Sequence, residues 1–148
     1  VYTVDELSIP AIKHAALGQL ETRYWSQDLK NDANVKFVGD YRKKYGGKTP
    51  SYYGAQSYDG ILLIDSAVRG VKGNLADKKG MIAVMRKADF ASTRGKFKYG
   101  QNHFPIENFY LLKTVAGATP TADPVMEIQQ TVFKDHKDAY GSACKMKW

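Results

Sequence analysis

Cysteine is nearly missing from this 148-residue chain, with Cys144 the single example. No internal disulfide can form, so the fold has to be held by packing. Cys144 is either a free thiol or the partner of a cysteine outside this sequence. Long hydrophobic runs are also absent. No stretch approaches the roughly 18 apolar residues needed to cross a bilayer as a helix. The sequence shows no initiator Met, no charged leader and no apolar signal core. Acidic residues are in deficit, with 15 Asp+Glu against 22 Lys+Arg and a net charge of +7. The surplus is scattered over Arg42-Lys43-Lys44, Lys78-Lys79, Arg86-Lys87, Lys96/Lys98 and Lys145/Lys147. A continuous basic face would favour nucleic acid, whereas dispersed pairs near helix ends read as solvated surface complementing helix dipoles. Neither internal repeats nor low-complexity segments occur. Apolar content of 43% and charged content of 25% are those of an ordinary soluble globular domain.

Catalytic and metal-binding patterns are missing too. Gly46-Gly47-Lys48-Thr49 imitates the end of a phosphate-binding loop, but that motif needs a glycine where Arg42 stands and a preceding strand. There is no Gly-x-Ser-x-Gly elbow. His14, His103 and His136 lie far apart without cysteine or paired carboxylates nearby, so no metal and no cofactor is expected. Asp59 and Asp65 are six apart on one helical stretch and do not share a face. No general acid/base pair stands out, and the chain reads as a binding protein, not an enzyme.

The segments that are present alternate between helix and strand. Val1-Tyr2-Thr3-Val4 is β-branched and strand-like; a loop or short helix over 11–17 leads to a strand ending near Trp25. Asp32 is expected to cap a helix with Ala33, Phe37, Val38, Tyr41 and Tyr45 on its apolar face, closed by basic residues and Gly46-Gly47. Thr49 and Pro50 are expected to open a long helix whose core face is Ile61, Ile64, Val68 and Val71. Asp77 should cap a third helix with Met81, Ile82, Val84 and Met85 inside. Lys96/Lys98 alternating with Phe97/Tyr99 predicts a half-buried strand. A second strand is expected over 109–115, with Phe109, Leu111 and Val115 on one face. A third is expected over 125–132, and a short helix from Asp135. Three or four strands make a poor complete sheet for so many amphipathic helices, which predicts that this is part of a larger fold.

The most informative block is Pro50-Ser51-Tyr52-Tyr53-Gly54-Ala55-Gln56-Ser57-Tyr58-Asp59-Gly60. Tyr52 and Tyr53 sit at the opening end of the long helix, where free N–H groups and the dipole favour negative charge. They either pack on a neighbouring element or line a mouth that holds a small, partly apolar anion.

Several segments, taken in order, resemble the type I periplasmic solute-binding proteins of ABC importers, in the branched-chain amino acid family. They are the Pro50 block; Leu7-Ser8-Ile9-Pro10-Ala11 with Ala15-Ala16-Leu17-Gly18; Tyr24-Trp25-Ser26; Phe37-Val38-Gly39-Asp40-Tyr41; Arg94-Gly95-Lys96-Phe97-Lys98-Tyr99; Asn108-Phe109-Tyr110-Leu111; and Phe133-Lys134-Asp135-His136. The match falls on the C-terminal part of such a protein. The resemblance implies an α/β chain forming part of a two-lobe, Rossmann-like fold with incomplete lobes. Residues 1–25 and 106–148 would belong to the second lobe and 26–105 to the first. It implies a periplasmic receptor that closes on a small carboxylate and delivers it to a membrane permease. The rest of the protein, or a second copy, would cover bare apolar faces. Tyr53 matches the aromatic position that covers the ligand. Leu17-Gly18 aligns with the acidic-Gly pair that receives a ligand ammonium. Leu17 cannot do that, so an aromatic or aliphatic acid fits better than an amino acid. His14 is either a surface residue or an anion contact. A ligand-sensing regulatory domain of the same fold is the alternative. A small α/β enzyme is the alternative of another class.

Overall fold

The computed structural model describes residues 4–146. Helix α1 (Ile9–Ile12) runs into a single 3-10 turn at 13–16 and then strand β1 (Leu20–Arg23). Three helices follow, α2 (Asp32–Lys44), α3 (Tyr52–Gly70) and α4 (Lys78–Met85). Strands β2 (Lys98–Tyr99), β3 (Pro105–Val115) and β4 (Val125–His136) come last, before a 3-10 turn at 141–143.

Each of the helices α2, α3 and α4 starts where a short polar side chain accepts an orphan N–H. Asn31 accepts from Asn34 N at 3.0 Å, Ser51 from Gly54 N at 3.2 Å, and Asp77 from Gly80 N at 2.9 Å. The third cap is the one expected from sequence. The first two are shifted by one and two residues from Asp32 and Thr49: the helices begin at Asp32 and Tyr52, directly after Asn31 and Ser51, whose side chains reach the free N–H groups. Gly46 and Gly47, both at positive φ, close α2, and Gly47 N–H returns to Arg42 O at 2.8 Å.

All strand pairings are antiparallel and centre on β3. β1 pairs from Leu20↔Lys113 to Arg23↔Tyr110, and β4 flanks the same stretch from Val115↔Val125 down to Glu107↔His136. β2 meets the first two residues of β3. Two separate cores result. One lies on the sheet and gathers Ile9, Ala16, Tyr110, Leu112 and Met126. The other lies among the helices and gathers Trp25, Phe37, Val38 and Ala55. Leu29, in the connection between β1 and α2, touches both.

Several expected faces are corrected. The inward face of α3 is Ala55, Asp59 and Ala67, while Ile61 and Ile64 are 66% and 51% exposed. Small residues and a paired aspartate let α3 approach its neighbours on that side, which turns the isoleucines away. In α4 no residue is buried. On β3 the buried residues are Tyr110, Leu112 and Thr114, the opposite parity from Phe109, Leu111 and Val115. Alternation itself is intact over 110–115; both faces of this stretch carry apolar residues, so period two marks a strand without choosing its buried face. β4 runs on to His136 instead of giving way to a helix at Asp135. The strand-like 1–3 stretch and Lys147 lie outside the described residues. No helix among the described residues is long and apolar enough to cross a membrane.

Candidate functional site

The Ser51 cap fixes the first turn of α3 and places Tyr52 and Tyr53 together, with ring centroids 4.0 Å apart. Tyr53 is 52% exposed, so it is not a core residue. Tyr52 turns inward. Arg23, the last residue of β1, sets its guanidinium 4.3 Å from the Tyr52 ring centre, and Tyr24 meets the same ring edge-on at 6.2 Å. The Tyr24 hydroxyl donates to Gln56 Oε1 at 3.0 Å, one turn further along α3. Burial, and next a hydrogen bond with Tyr53, pushes the Tyr52 phenol up from its ordinary value of 10.0. The result is an aromatic, neutral, hydroxyl-tipped surface.

Two arginine networks hold it in place. Arg23 pairs with Glu6 at 2.8 Å and Glu21 at 2.6 Å, and donates to Val4 O at 2.8 Å. Arg94 pairs with Asp59 of α3 at 3.1 Å and with Glu107 of β3 at 2.9 Å. Asp59 in turn accepts from Ser92 Oγ and Thr93 N at 2.6 and 2.8 Å. All these charged side chains are nearly dry. Burial raises the carboxyl pKa values of Glu6 and Glu107, and their arginines offset this only in part. Among the described residues, no group of His, Cys, Asp and Glu is placed to hold a metal.

The residues singled out in the sequence fall in two places. Tyr52 and Tyr53 share the surface just described. His14, Leu17 and Gly18 are exposed in the turn before β1, where Gly18, at φ 81°, bonds through its N–H to Thr114 O at 2.9 Å. That turn is at the opposite end of β1 from Arg23, and five residues of extended chain span about 17 Å. The fold does not bring the two groups together. Conversely, Arg23, Tyr24, Glu6, Asp59, Arg94 and Glu107 join the site although the sequence marks none of them as site residues. Arg94 and Asp59 are 35 positions apart. No local pattern marked them: Asp59 lies across the helix from the Ile61/Ile64/Val68 stripe, and its burial requires a partner that only the fold supplies.

A family model described as periplasmic binding protein matches residues 1–119. The chain belongs to that family. Within it the branch is the type I, branched-chain amino acid one. Among solved structures, a solute-binding protein of an ABC transporter from R. palustris, in complex with benzoate, superposes at a TM-score of 0.84 with 29% identity. That match covers 97% of this chain and 37% of the other. A second, from Rhodopseudomonas palustris BisB5 with 3,4-dihydroxybenzoic acid, reaches 0.76 at 26% identity, covering 91% and 36%. A third, from Rhodopseudomonas palustris HaA2 with p-hydroxybenzoic acid, reaches 0.74 over 90% and 36%, and at 23% identity it speaks for the fold alone. A search of curated proteins gave no match. The chain thus spans a little over a third of the length of these solved relatives, and its mixed α/β architecture is part of their two-lobe fold.

Proposed function

We propose that the full protein is an extracytoplasmic solute-binding receptor of an ABC importer. It captures a small aromatic carboxylate between two lobes and hands it to a membrane permease. The observation that carries this is the likeness of 97% of the chain to a benzoate-bound transporter receptor, joined to an open tyrosine surface. Apart from Trp25, which packs in the helical core at the boundary, the two cores are consistent with a division in which residues 1–25 and 106–148 form one lobe and residues 26–105 the other. The ligand would lie where these meet, with the Tyr53 ring stacking on it and Tyr52 behind. The role is solute binding, the one the relatives' descriptions give.

An aromatic acid fits better than an α-amino acid. An ammonium buried in a closing cleft needs an ionised carboxylate of its own. Beside Tyr52, Glu6 and Glu21 are already committed to Arg23, and Asp5 accepts from the backbone N–H groups of Leu7 and Ser8. Leu17 has no charge to offer, and its turn lies along β1 away from the tyrosines.

A thermal-shift panel on the full-length protein tests this reading. Benzoate and hydroxybenzoates should raise the melting temperature, since a ligand at a hundred times its Kd stabilises by about 2.7 kcal/mol. Shifts with leucine or valine, and none with the aromatic acids, would overturn it.

A further inference from the structure

Arg94 joins parts of the chain that pack in different cores. Its Nε donates to Asp59 Oδ2 of α3 at 3.1 Å, and its Nη1 donates to Glu107 Oε2 near the start of β3 at 2.9 Å. The guanidinium carbon stands 4.4 Å from the centre of the Phe97 ring and 5.5 Å from that of Tyr24, the residue after β1. One planar side chain therefore touches the helical region, the segment before β2, the sheet and the exit from β1. Its side chain is 11% exposed, and those of Asp59 and Glu107 are 2% and 10%. A guanidinium suits this place because its fork can bond two carboxylates in different directions while its faces lie on rings. A lysine ammonium is a single point charge that cannot do both.

These contacts lie where the chain passes between the two regions, at Tyr24 on one passage and at Glu107 on the other. We propose that Arg94 is a positioning residue that ties the helical region to the ends of β1 and β3 and so sets the relative orientation in which the lobes close on ligand. This rests on the two-lobe receptor reading above. Loosening the tie lowers the fraction of protein in the binding-competent arrangement, and the apparent Kd rises as the inverse of that fraction. Arg94 itself need not touch the ligand.

The test uses the full-length protein with one spin label on each lobe, benzoate as the probe, and the variant R94K. R94K keeps a positive charge between Asp59 and Glu107, and with it the fold, but loses the fork. Expected are a broader label-to-label distance distribution without ligand and a Kd for benzoate raised about tenfold, the result of a tenfold smaller competent fraction. The double variant R94K/E107Q should be no worse than R94K, because the two residues act as one tie. A distribution as narrow as wild type, with unchanged Kd, would overturn the proposal. Should R94K fail to fold, E107Q alone is read by the same two measurements with the same criteria. Wild type that binds no aromatic acid would refute the receptor reading, and the ligand-free distance distribution would still decide the role of Arg94.

Discussion

Tyr53 is the residue with the clearest expected role in binding, and Glu6 the one with the clearest electrostatic consequence. The Tyr53 ring is exposed and backed by Tyr52, so it offers a flat apolar face without disturbing the core. In the full-length protein Tyr53→Ala should weaken aromatic-acid binding by about 1–3 kcal/mol through lost ring contact, while the melting temperature without ligand stays close to wild type. Calorimetry showing equal affinity would remove Tyr53 from the site. Glu6 has a carboxyl pKa raised by burial above the ordinary 4.5, with Arg23 opposing in part. The folded state then holds its proton to higher pH than the unfolded state does. Glu6 accordingly contributes most to stability below pH 4.5, and that contribution is lost as pH rises through the folded value. In denaturant titrations, wild type should lose stability relative to Glu6→Gln as pH climbs from about 4.5 upward. A difference that stays flat, or grows in favour of wild type, would contradict the assignment.

At the scale of elements, the connection from β1 to α2 depends on one buried amide. Asn34, in the first turn of α2, accepts from Trp25 Nε1 at 2.7 Å. Its own amide nitrogen lies 3.1, 3.2 and 3.0 Å from the carbonyls of Ser26, Gln27 and Leu29. Four groups of an irregular loop thus find their partner in a single side chain, and Trp25 is locked into the helical core. Asn34→Ala should cost about 1–3 kcal/mol for each buried group left unpaired, so several in total. Chemical denaturation would register it as a lower midpoint, together with greater Trp25 exposure in fluorescence. A variant as stable as wild type would show that the loop is held by other contacts. The same passage carries Leu29, the residue shared by both cores, so its order matters for how the two regions sit together.

For the whole molecule, the telling feature is apolar surface on one side of the helices. Ile61 and Ile64 of α3 are bare, and between α2 and α3 a cavity of about 420 Å³ is lined by Phe37, Tyr41, Tyr45 and Tyr58 together with Asp40 and Lys44. Burying a large apolar side chain is worth about 1.5–3 kcal/mol, so such a face favours cover. The 148-residue chain by itself should run above its 16.5 kDa monomer mass in size-exclusion chromatography with light scattering. The double substitution I61K/I64K should shift it toward the monomer. A wild-type chain already monomeric at high concentration would show that the face is tolerated in water. Phe37, by contrast, is buried at 6% exposure, so the bare surface belongs to α3 more than to α2.

Local chemistry was readable directly from the residues. The Asp77 cap, the Gly46-Gly47 stop, the exposed lysines alternating with Phe97 and Tyr99, and the tyrosines at the mouth of α3 all follow from contacts within a few positions. The order of segments also carried the family and the two-lobe fold, since spacing along the chain is a property of sequence alone. What tertiary structure decided was which face goes inward and which charges meet. Periodicity marks an apolar stripe on α3 but cannot say that Asp59, with an arginine 35 residues away, would claim the buried side instead. The parity of β3 escaped for a related reason: both faces of 109–115 carry apolar side chains, and packing with Ile9, Ala16 and Met126 selects the one with Tyr110 and Leu112. Leu17-Gly18 and Tyr53 each looked fit for a binding wall, yet the length of β1 sets them apart. Only the contact of Arg23, at the far end of β1, with Tyr52 of α3 places the tyrosines there, and it joins residues far apart in sequence.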